Sequence, residues 1–140
     1  MKHFILFLFI AGVVSGCSVE KDEVQIIPDD KSLTEAVSGI WQGTIPCADC
    51  PGIQYELKLK PDHNYVGQSI YLGEDVEPFI EKGHWEIRED SIITLKKGTG
   101  KRYFKFTGEV IKMLDRQKQP ITSELAEFYI LERKTFNNYR

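Results

Sequence analysis

Two cysteines two residues apart, Cys47 and Cys50, offer the richest chemistry in this sequence. They lie within Trp41-Gln42-Gly43-Thr44-Ile45-Pro46-Cys47-Ala48-Asp49-Cys50-Pro51-Gly52-Ile53, and a third cysteine, Cys17, stands well upstream. Three chemistries are open to the pair. A disulfide would close a loop of four residues, for which chain entropy supplies only about 2 kcal/mol. Stability alone therefore gives little reason for it. Thiol–disulfide exchange usually uses a pair at a helix N-terminus, where the dipole lowers a thiol pKa. Here Ile45-Pro46 precedes the pair, Pro51-Gly52 leads straight into a strand, and Asp49 between the thiols would raise their pKa, so oxidoreductase activity is disfavoured. The third chemistry is soft-metal capture, since thiolates select Cu(I) or Zn(II) over hard cations. A zinc site needs two further ligands, and the histidines are only His3, His63 and His84. His3 lies near the N-terminus, His63 in a turn remote along the chain, and His84 on the polar side of an alternating segment. Low-coordinate Cu(I) at Cys47 and Cys50 fits this inventory better than zinc. Disulfide and metal readings combine into a latch, a loop whose shape depends on oxidation or metal.

Other catalytic groupings are lacking. Ser32, Ser38, Ser69, Ser91 and Ser123 have no motif placing a base beside them. Glu56, Glu81, Glu86 and Asp115 read as solvated strand or turn residues rather than a catalytic pair. The expectation is a protein that is not an enzyme. The 18 basic residues are interleaved with 21 acidic ones, for a net charge of -3. That balance argues against a nucleic-acid partner, which requires clustered Lys and Arg to neutralise phosphates.

The elements that must position the pair are strands. In residues 52–60, Ile53, Tyr55, Leu57 and Leu59 alternate with Gln54, Glu56, Lys58 and Lys60, the period of a half-buried strand. Pro61-Asp62-His63-Asn64 supplies turn chemistry. In residues 79–88, Gly83, Trp85 and Ile87 oppose Lys82, His84, Glu86 and Arg88. Further strands are expected at 39–45, 65–72, 91–96, 102–107, 110–114 and 127–133, with no helical period over two turns before Pro120. Eight successive strands joined by short turns predict an all-β fold, a single eight-stranded antiparallel meander barrel, because closure removes both sheet edges. Such a barrel holds either side chains or one small ligand. Tyr55, Leu57, Tyr65, Trp85, Ile93, Phe104 and Phe106 are candidates to fill it.

Upstream, Lys2 and His3 precede an apolar run over residues 4–14 that ends in Val14-Ser15-Gly16-Cys17, the layout of a signal peptide. Eleven residues of helix cover only about 16 Å, roughly half a bilayer core of about 30 Å. The ending resembles a bacterial lipobox, which makes residues 1–16 a cleaved lipoprotein signal peptide and Cys17 the lipidated first residue. Two or more acyl chains anchor stably where one is marginal, and the envelope compartment allows disulfides to persist. Removing the leader takes away Lys2 and no acid, leaving a weakly acidic protein held by its lipid. Residues 17–38 show no sustained period and read as a flexible tether, 39–134 as the barrel, and 135–140 as a C-terminal tail. Ser18 resembles the outer-membrane sorting preference of Gram-negative lipoproteins, and Lys21-Asp22-Glu23 resembles a surface-export signal. The expected location is therefore the outer membrane, on its periplasmic face or at the cell surface.

Gly39-Ile40-Trp41 is similar to the Gly-x-Trp pattern that opens lipocalin barrels. Joined to the segment through Ile53, it resembles the N-terminal domain of the NlpE family of copper-resistance, stress-signalling lipoproteins. Leu57-Lys58-Leu59 with Asp62 and Tyr65, Tyr71-Leu72-Gly73, Gly83-His84-Trp85, and Leu114-Asp115 followed by Pro120-Ile121 extend the match. The resemblance implies copper handling or envelope-stress sensing through the exposed Cys47/Cys50 loop, with an envelope-stress sensor protein as partner. It departs in two places: this chain stops at Arg140 where enteric relatives continue into a second, OB-like domain, and residues 117–126 lack the usual turn glycine. The alternative is a lipocalin-like carrier of a small apolar ligand in the barrel interior.

Overall fold

Alternating apolar and polar residues build a wall with one face inward, and the strands form where that alternation runs. A computed structural model describes residues 30–135. The leader, Cys17 and the chain up to residue 29 lie outside the described residues, as do the last five residues. The strands are β1 (Gly39–Ile45), β2 (Ile53–Leu59), β3 (Asn64–Tyr71), β4 (Phe79–Ile87), β5 (Ile92–Lys97), β6 (Gly100–Phe106), β7 (Val110–Leu114) and β8 (Ile130–Arg133). Each pairs antiparallel with the next, and β8 returns to β1 to close an eight-stranded barrel. The expected meander is the observed one.

The interior is filled by side chains. Trp41, Tyr55, Leu57, Tyr65, Trp85, Ile93 and Phe104 are all buried, and Phe106 packs against them from a partly exposed position. The indole Nε1–H of Trp85 donates to the Lys60 carbonyl at 2.9 Å and that of Trp41 to the Val37 carbonyl at 2.9 Å, so neither buried ring leaves a polar group unpaired.

Three expectations need correction. The stretch read as tether through residue 38 ends in a helix, α1 (Asp30–Val37). Leu33 and Val37, four residues apart on one face, are buried in the barrel core beside Thr34. Eight residues are too few for a helix to stand alone, so packing on the barrel holds it. The last strand begins at Ile130 rather than 127, because a 3-10 turn, η1 (Ala126–Phe128), occupies its expected start. Residue 118 supplies the missing turn glycine's conformation: Lys118 adopts φ 63°, and the Asp115 carboxylate accepts the backbone N–H groups of Gln117 and Gln119 at 2.8 Å. Glu81, expected to be solvated, is buried inside the barrel.

Strand direction sorts the connections to two ends. α1 and the turns after β2, β4 and β6 lie at one end. The 46–52 loop, the β3–β4 connection and the long β7–β8 connection lie at the other. Closure occurs at the α1 end, where Trp41 faces Arg133 and Gln42 faces Glu132. The Arg133 guanidinium stacks 4.2 Å from the Trp41 ring centre and donates to the carbonyls of Ser38, at 2.8 Å, and Ala36. Gly39, at φ 143°, makes room, since a Cβ there would sit 2.5 Å from Arg133 Nη1.

Replacing the guanidinium with an apolar chain of similar length strands those carbonyls. Arg133→Met is expected to lower unfolding free energy by about 2 kcal/mol, the value of a charge-assisted hydrogen bond lost, measured by urea denaturation.

Candidate functional site

The loop between β1 and β2 holds the two cysteines. β1 delivers Ile45 to the barrel rim, Pro46 ends the strand, and Pro51-Gly52 redirects the chain into β2. Cys47 and Cys50 are joined by a disulfide, with Cα atoms 5.3 Å apart. Ala48 and Asp49 at the tip are exposed while both cysteines are half-buried. Cys50 Sγ lies 3.3 Å from the Gly52 carbonyl oxygen. A disulfide sulfur carries no proton, so this contact becomes a hydrogen bond only when the pair is reduced and Cys50 can donate. The loop base is fixed on two sides. The Leu72 N–H donates to the Gly52 carbonyl at 2.9 Å, and a Cβ on Gly52 would come within 2.8 Å of Thr44 Cγ2.

Beside the disulfide lies a cavity of about 410 Å³ lined by Thr44, Ile45, Pro46, Cys47, Pro51, Leu125 and Phe128. Leu125 and Phe128 are each 48% exposed. Sequence periodicity could not place them here, because they arrive on the irregular β7–β8 connection, which has no repeating pattern. The other exposed large apolar residues, Tyr71, Val76, Phe79 and Ile80, also lie at this end of the barrel. Asp49, Glu74, Asp75, Glu77, Glu124 and Glu127 frame them and are exposed. The disulfide thus forms part of an apolar rim bordered mostly by acids, with Lys97 Nζ standing 4.9 Å from the Phe79 ring centre.

Inside the barrel near the same end sits an ionic cluster. Glu81 is 8% exposed, accepts from the Tyr55 hydroxyl at 2.9 Å and pairs with Arg102 at 2.7 Å; Arg102 also donates to the Tyr55 oxygen at 2.9 Å. Glu81 is therefore not the solvated residue its type suggested. Its parity was the available signal, since Gly83, Trp85 and Ile87 face inward and position 81 shares their side of β4. Gly67 across the sheet provides the space, because a Cβ there would lie 2.8 Å from Glu81 Oε1. Burial pushes the Tyr55 phenol well above its ordinary pKa; Arg102 opposes that shift and Glu81 adds to it. Burial also raises Tyr65, with Glu81 adding.

The cavity at this cluster is about 210 Å³ and is lined by Tyr65, Glu81, Leu95, Lys97, Gly100, Lys101 and Arg102. A drug-sized apolar ligand needs about 300 Å³ or more with apolar walls. The cavity of about 500 Å³ along Gln42, Thr44, Gln54, Phe128 and Glu132 is lined by outward-facing residues of the wall, and one of about 380 Å³ lies between β7 and the β7–β8 connection, against Met113, Leu114, Pro120, Ile121 and Tyr129. The interior thus gives no support to the apolar-carrier alternative.

The structure brings Cys47 and Cys50 together and keeps the histidines away from them. His63 sits at the opposite end, its ring 5.2 Å from that of Trp85 and its Nδ1 3.2 Å from the Trp85 carbonyl. His84 is exposed on the outer wall opposite Asn64 and Lys96. Among the described residues no group of three or more His, Cys, Asp or Glu is arranged around a common metal position. The two sulfurs fit a metal only as thiolates, after reduction, and then as a two-coordinate pair suited to Cu(I).

Comparison with known proteins supplies a lineage. A family model of the NlpE N-terminal domain matches residues 41–124. The chain is 32% identical over 119 residues to lipoprotein NlpE of Escherichia coli K12, covering 84% of this chain and 50% of that protein. It is 36% identical over 61 residues to the 17 kDa lipoprotein of Treponema pallidum, covering 41% of this chain and 38% of that protein. The chain therefore spans half or less of the length of these curated relatives. Among solved structures, a lipoprotein from Shewanella oneidensis superposes with a TM-score of 0.62 at 37% identity, over 71% of this chain and 90% of that one. The E. coli Cpx pathway activator NlpE superposes with a TM-score of 0.55 at 36% identity, over 61% of this chain and 46% of that one.

Two measurements check the site energetics. Reducing the disulfide is expected to lower unfolding free energy by only about 2 kcal/mol, the chain entropy of a four-residue loop, read as the urea midpoint with and without reductant. The second is alkaline stability. Unfolded tyrosines ionise near pH 10, whereas folded Tyr55 and Tyr65 hold their protons to higher pH. Their contribution is complete below the unfolded value and is lost as pH rises toward the folded one, because only the unfolded chain ionises in between. The urea midpoint should fall above about pH 10, and less steeply in Tyr55→Phe.

Proposed function

The chain belongs to the NlpE family, and from that premise we propose that it is an outer-membrane lipoprotein that senses copper or thiol-oxidising stress through the Cys47–Cys50 loop. Cys17 would carry the lipid, and the partner would be an envelope-stress sensor protein. The observation that carries this reading is the position of the disulfide. It lines one wall of an exposed apolar cavity beside Leu125 and Phe128, so a change in its bonding alters a surface open to a partner.

The chemistry has two states. In the oxidised state Cys47 and Cys50 are tied and the tip at Ala48 and Asp49 is exposed. Reduction takes two electrons and two protons from two cellular thiols, which leave joined as their own disulfide, and yields the thiols of Cys47 and Cys50. Cu(I) then displaces those protons to bind the pair as thiolates, with the exposed tip accommodating the change. Because the disulfide contributes so little stability, the fold survives either state.

The end of the barrel at which the loop sits supports the same reading. α1 leads into β1 at the opposite end, so the chain arriving from Cys17 would reach the barrel away from the loop. The rim stays free for a partner. The E. coli relative is a Cpx pathway activator, and an analogous sensor contact is proposed here for the rim.

A Cys47→Ser, Cys50→Ser variant is expected to lose Cu(I) binding in a competition assay under reducing conditions, and to lose copper-dependent induction of an envelope-stress reporter, while remaining folded. Retention of both responses would show the reading to be wrong. Mass spectrometry of the membrane-extracted protein reports lipid on Cys17, the oxidation state of the pair and bound copper together.

A further inference from the structure

The net charge of -3 conceals a segregation of charge. Acids collect in the connections, with Asp49, Glu74, Asp75 and Glu77 at the disulfide end. Lysines collect on the outer wall of β2 to β6. The strand register draws them together: Lys58 and Lys82 both face Val66 of β3, while His84 faces Asn64 and Lys96, and Lys96 faces Lys101. Lys60, Asn64, Lys82 and His84 also line a surface depression of about 370 Å³.

Acids on this wall are few and already engaged. Glu86 pairs with Lys96 at 2.7 Å and contacts Arg88 at 3.8 Å, and its hydrogen bond from Lys96 holds its carboxyl below the usual range. Glu56 pairs with Lys134 at 2.8 Å. Asp62 lies near Lys60 but accepts the Asn64 N–H at 3.0 Å. Among the described residues Lys58, Lys60, Lys82 and Lys101 make no ion pair. Beyond β6 the pattern changes: Lys112 of β7 faces Lys105, whose Nζ donates to the Asp90 carbonyl, on one side and Ile130 of β8 on the other, and Glu132 of β8 faces Val110.

We propose that this lysine wall is a docking face for anionic phospholipid headgroups, resting the barrel on its side against the membrane. The inference builds on the lipoprotein reading. Residues 17–29 lead from Cys17 to α1, a length over which any flexible chain spans only about 20 Å, so the wall lies close to the surface that holds the anchor. Attraction to anionic lipid acts within a Debye length of about 8 Å, so lysines presented together on one face act where scattered ones do not. Asp49, Glu74, Asp75 and Glu77 beside the disulfide are repelled by the same headgroups. Docking by the wall therefore leaves the rim clear of the lipid, an orientation that neither the anchor nor the net charge would set.

The test places the mature protein, extracted from membranes, in vesicles of phosphatidylcholine alone or with phosphatidylglycerol added. Amine acylation read by mass spectrometry reports each lysine, and the intact mass reports lipidation separately. Labelling of Lys58, Lys60, Lys82 and Lys101 is expected to fall about threefold or more on the anionic vesicles, with Lys112 unchanged, and to recover at high salt, as surface electrostatics require. In Lys82→Glu, Lys101→Glu, labelling of Lys58 should be the same on both vesicles. Equal labelling of the unaltered protein on both vesicles overturns the proposal, as does protection shared by Lys112 or protection by a soluble polyanion but not by vesicles. A protein found without lipid removes the anchor alone. It upholds the wall if it still binds anionic vesicles through these lysines, and overturns it if it does not.

Discussion

Closure of the barrel hangs on one contact, the Arg133 guanidinium laid over the Trp41 ring with its N–H groups on the last carbonyls before β1. β1 and β8 share only two facing pairs, Trp41 with Arg133 and Gln42 with Glu132, against seven between β1 and β2. The seam has the fewest facing pairs, and the Lys134 N–H on the Ile40 carbonyl at 2.8 Å and the Arg133 contacts reinforce it. Helix C-terminal carbonyls carry partial negative charge, so the same guanidinium that closes the wall also fixes α1. Trp41 completes the joint by donating to the Val37 carbonyl. One residue pair thus sets closure, the position of α1 and the burial of Leu33 and Val37.

From that joint follows the asymmetry of the two ends, on which the proposed function rests. At the α1 end the interior is closed by Leu33 and Val37 and fastened by Arg133. At the other end it is bounded by loops, and the side chains turn polar inward and apolar outward, the reverse of the usual arrangement. Glu81, Arg102 and Tyr55 occupy the inside, while Phe79, Leu125 and Phe128 are exposed at the rim. A buried ion pair adds little net stability over an apolar replacement of the same size. What it does at this end is geometric: Glu81, Tyr55 and Arg102 bind one another across the mouth and leave the apolar side chains of the rim outside it.

Strand order and closure were legible because the alternation in residues 52–60 and 79–88 is nearly perfect, and meander topology follows from short turns. The core was legible for the same reason. What escaped were features whose signal is not periodic. Leu33 and Val37 make a helical face of only two apolar residues, too short to register against the polar stretch before it. η1 displaced the start of β8 because its Glu-Phe-Tyr stretch has strand-forming residues, and only local hydrogen bonding turns them. Glu81 was misread by residue type although its parity was correct, an instance of a buried charge paid for by partners distant in sequence, Arg102 and Gly67. The cysteine pair itself was legible, but the apolar groove beside it was not, since Leu125 and Phe128 reach it through a connection whose path no pattern encodes.

The disulfide then has a place that its energetics alone would not justify. A four-residue ring is a poor staple, and the loop base is already held by the Leu72 N–H on the Gly52 carbonyl and by Thr44 against Gly52. Because the base is fixed independently, making or breaking the bond is confined to the exposed tip and to the Cys47 wall of the groove. A pair that supported the fold would report its own chemistry by unfolding the barrel. A pair that supports only the tip can change state while the barrel, its closure at Arg133 and its interior stay as they are. Low stabilisation is in that sense what a reversible surface site requires, and it follows from the same short spacing that first drew attention to the two cysteines.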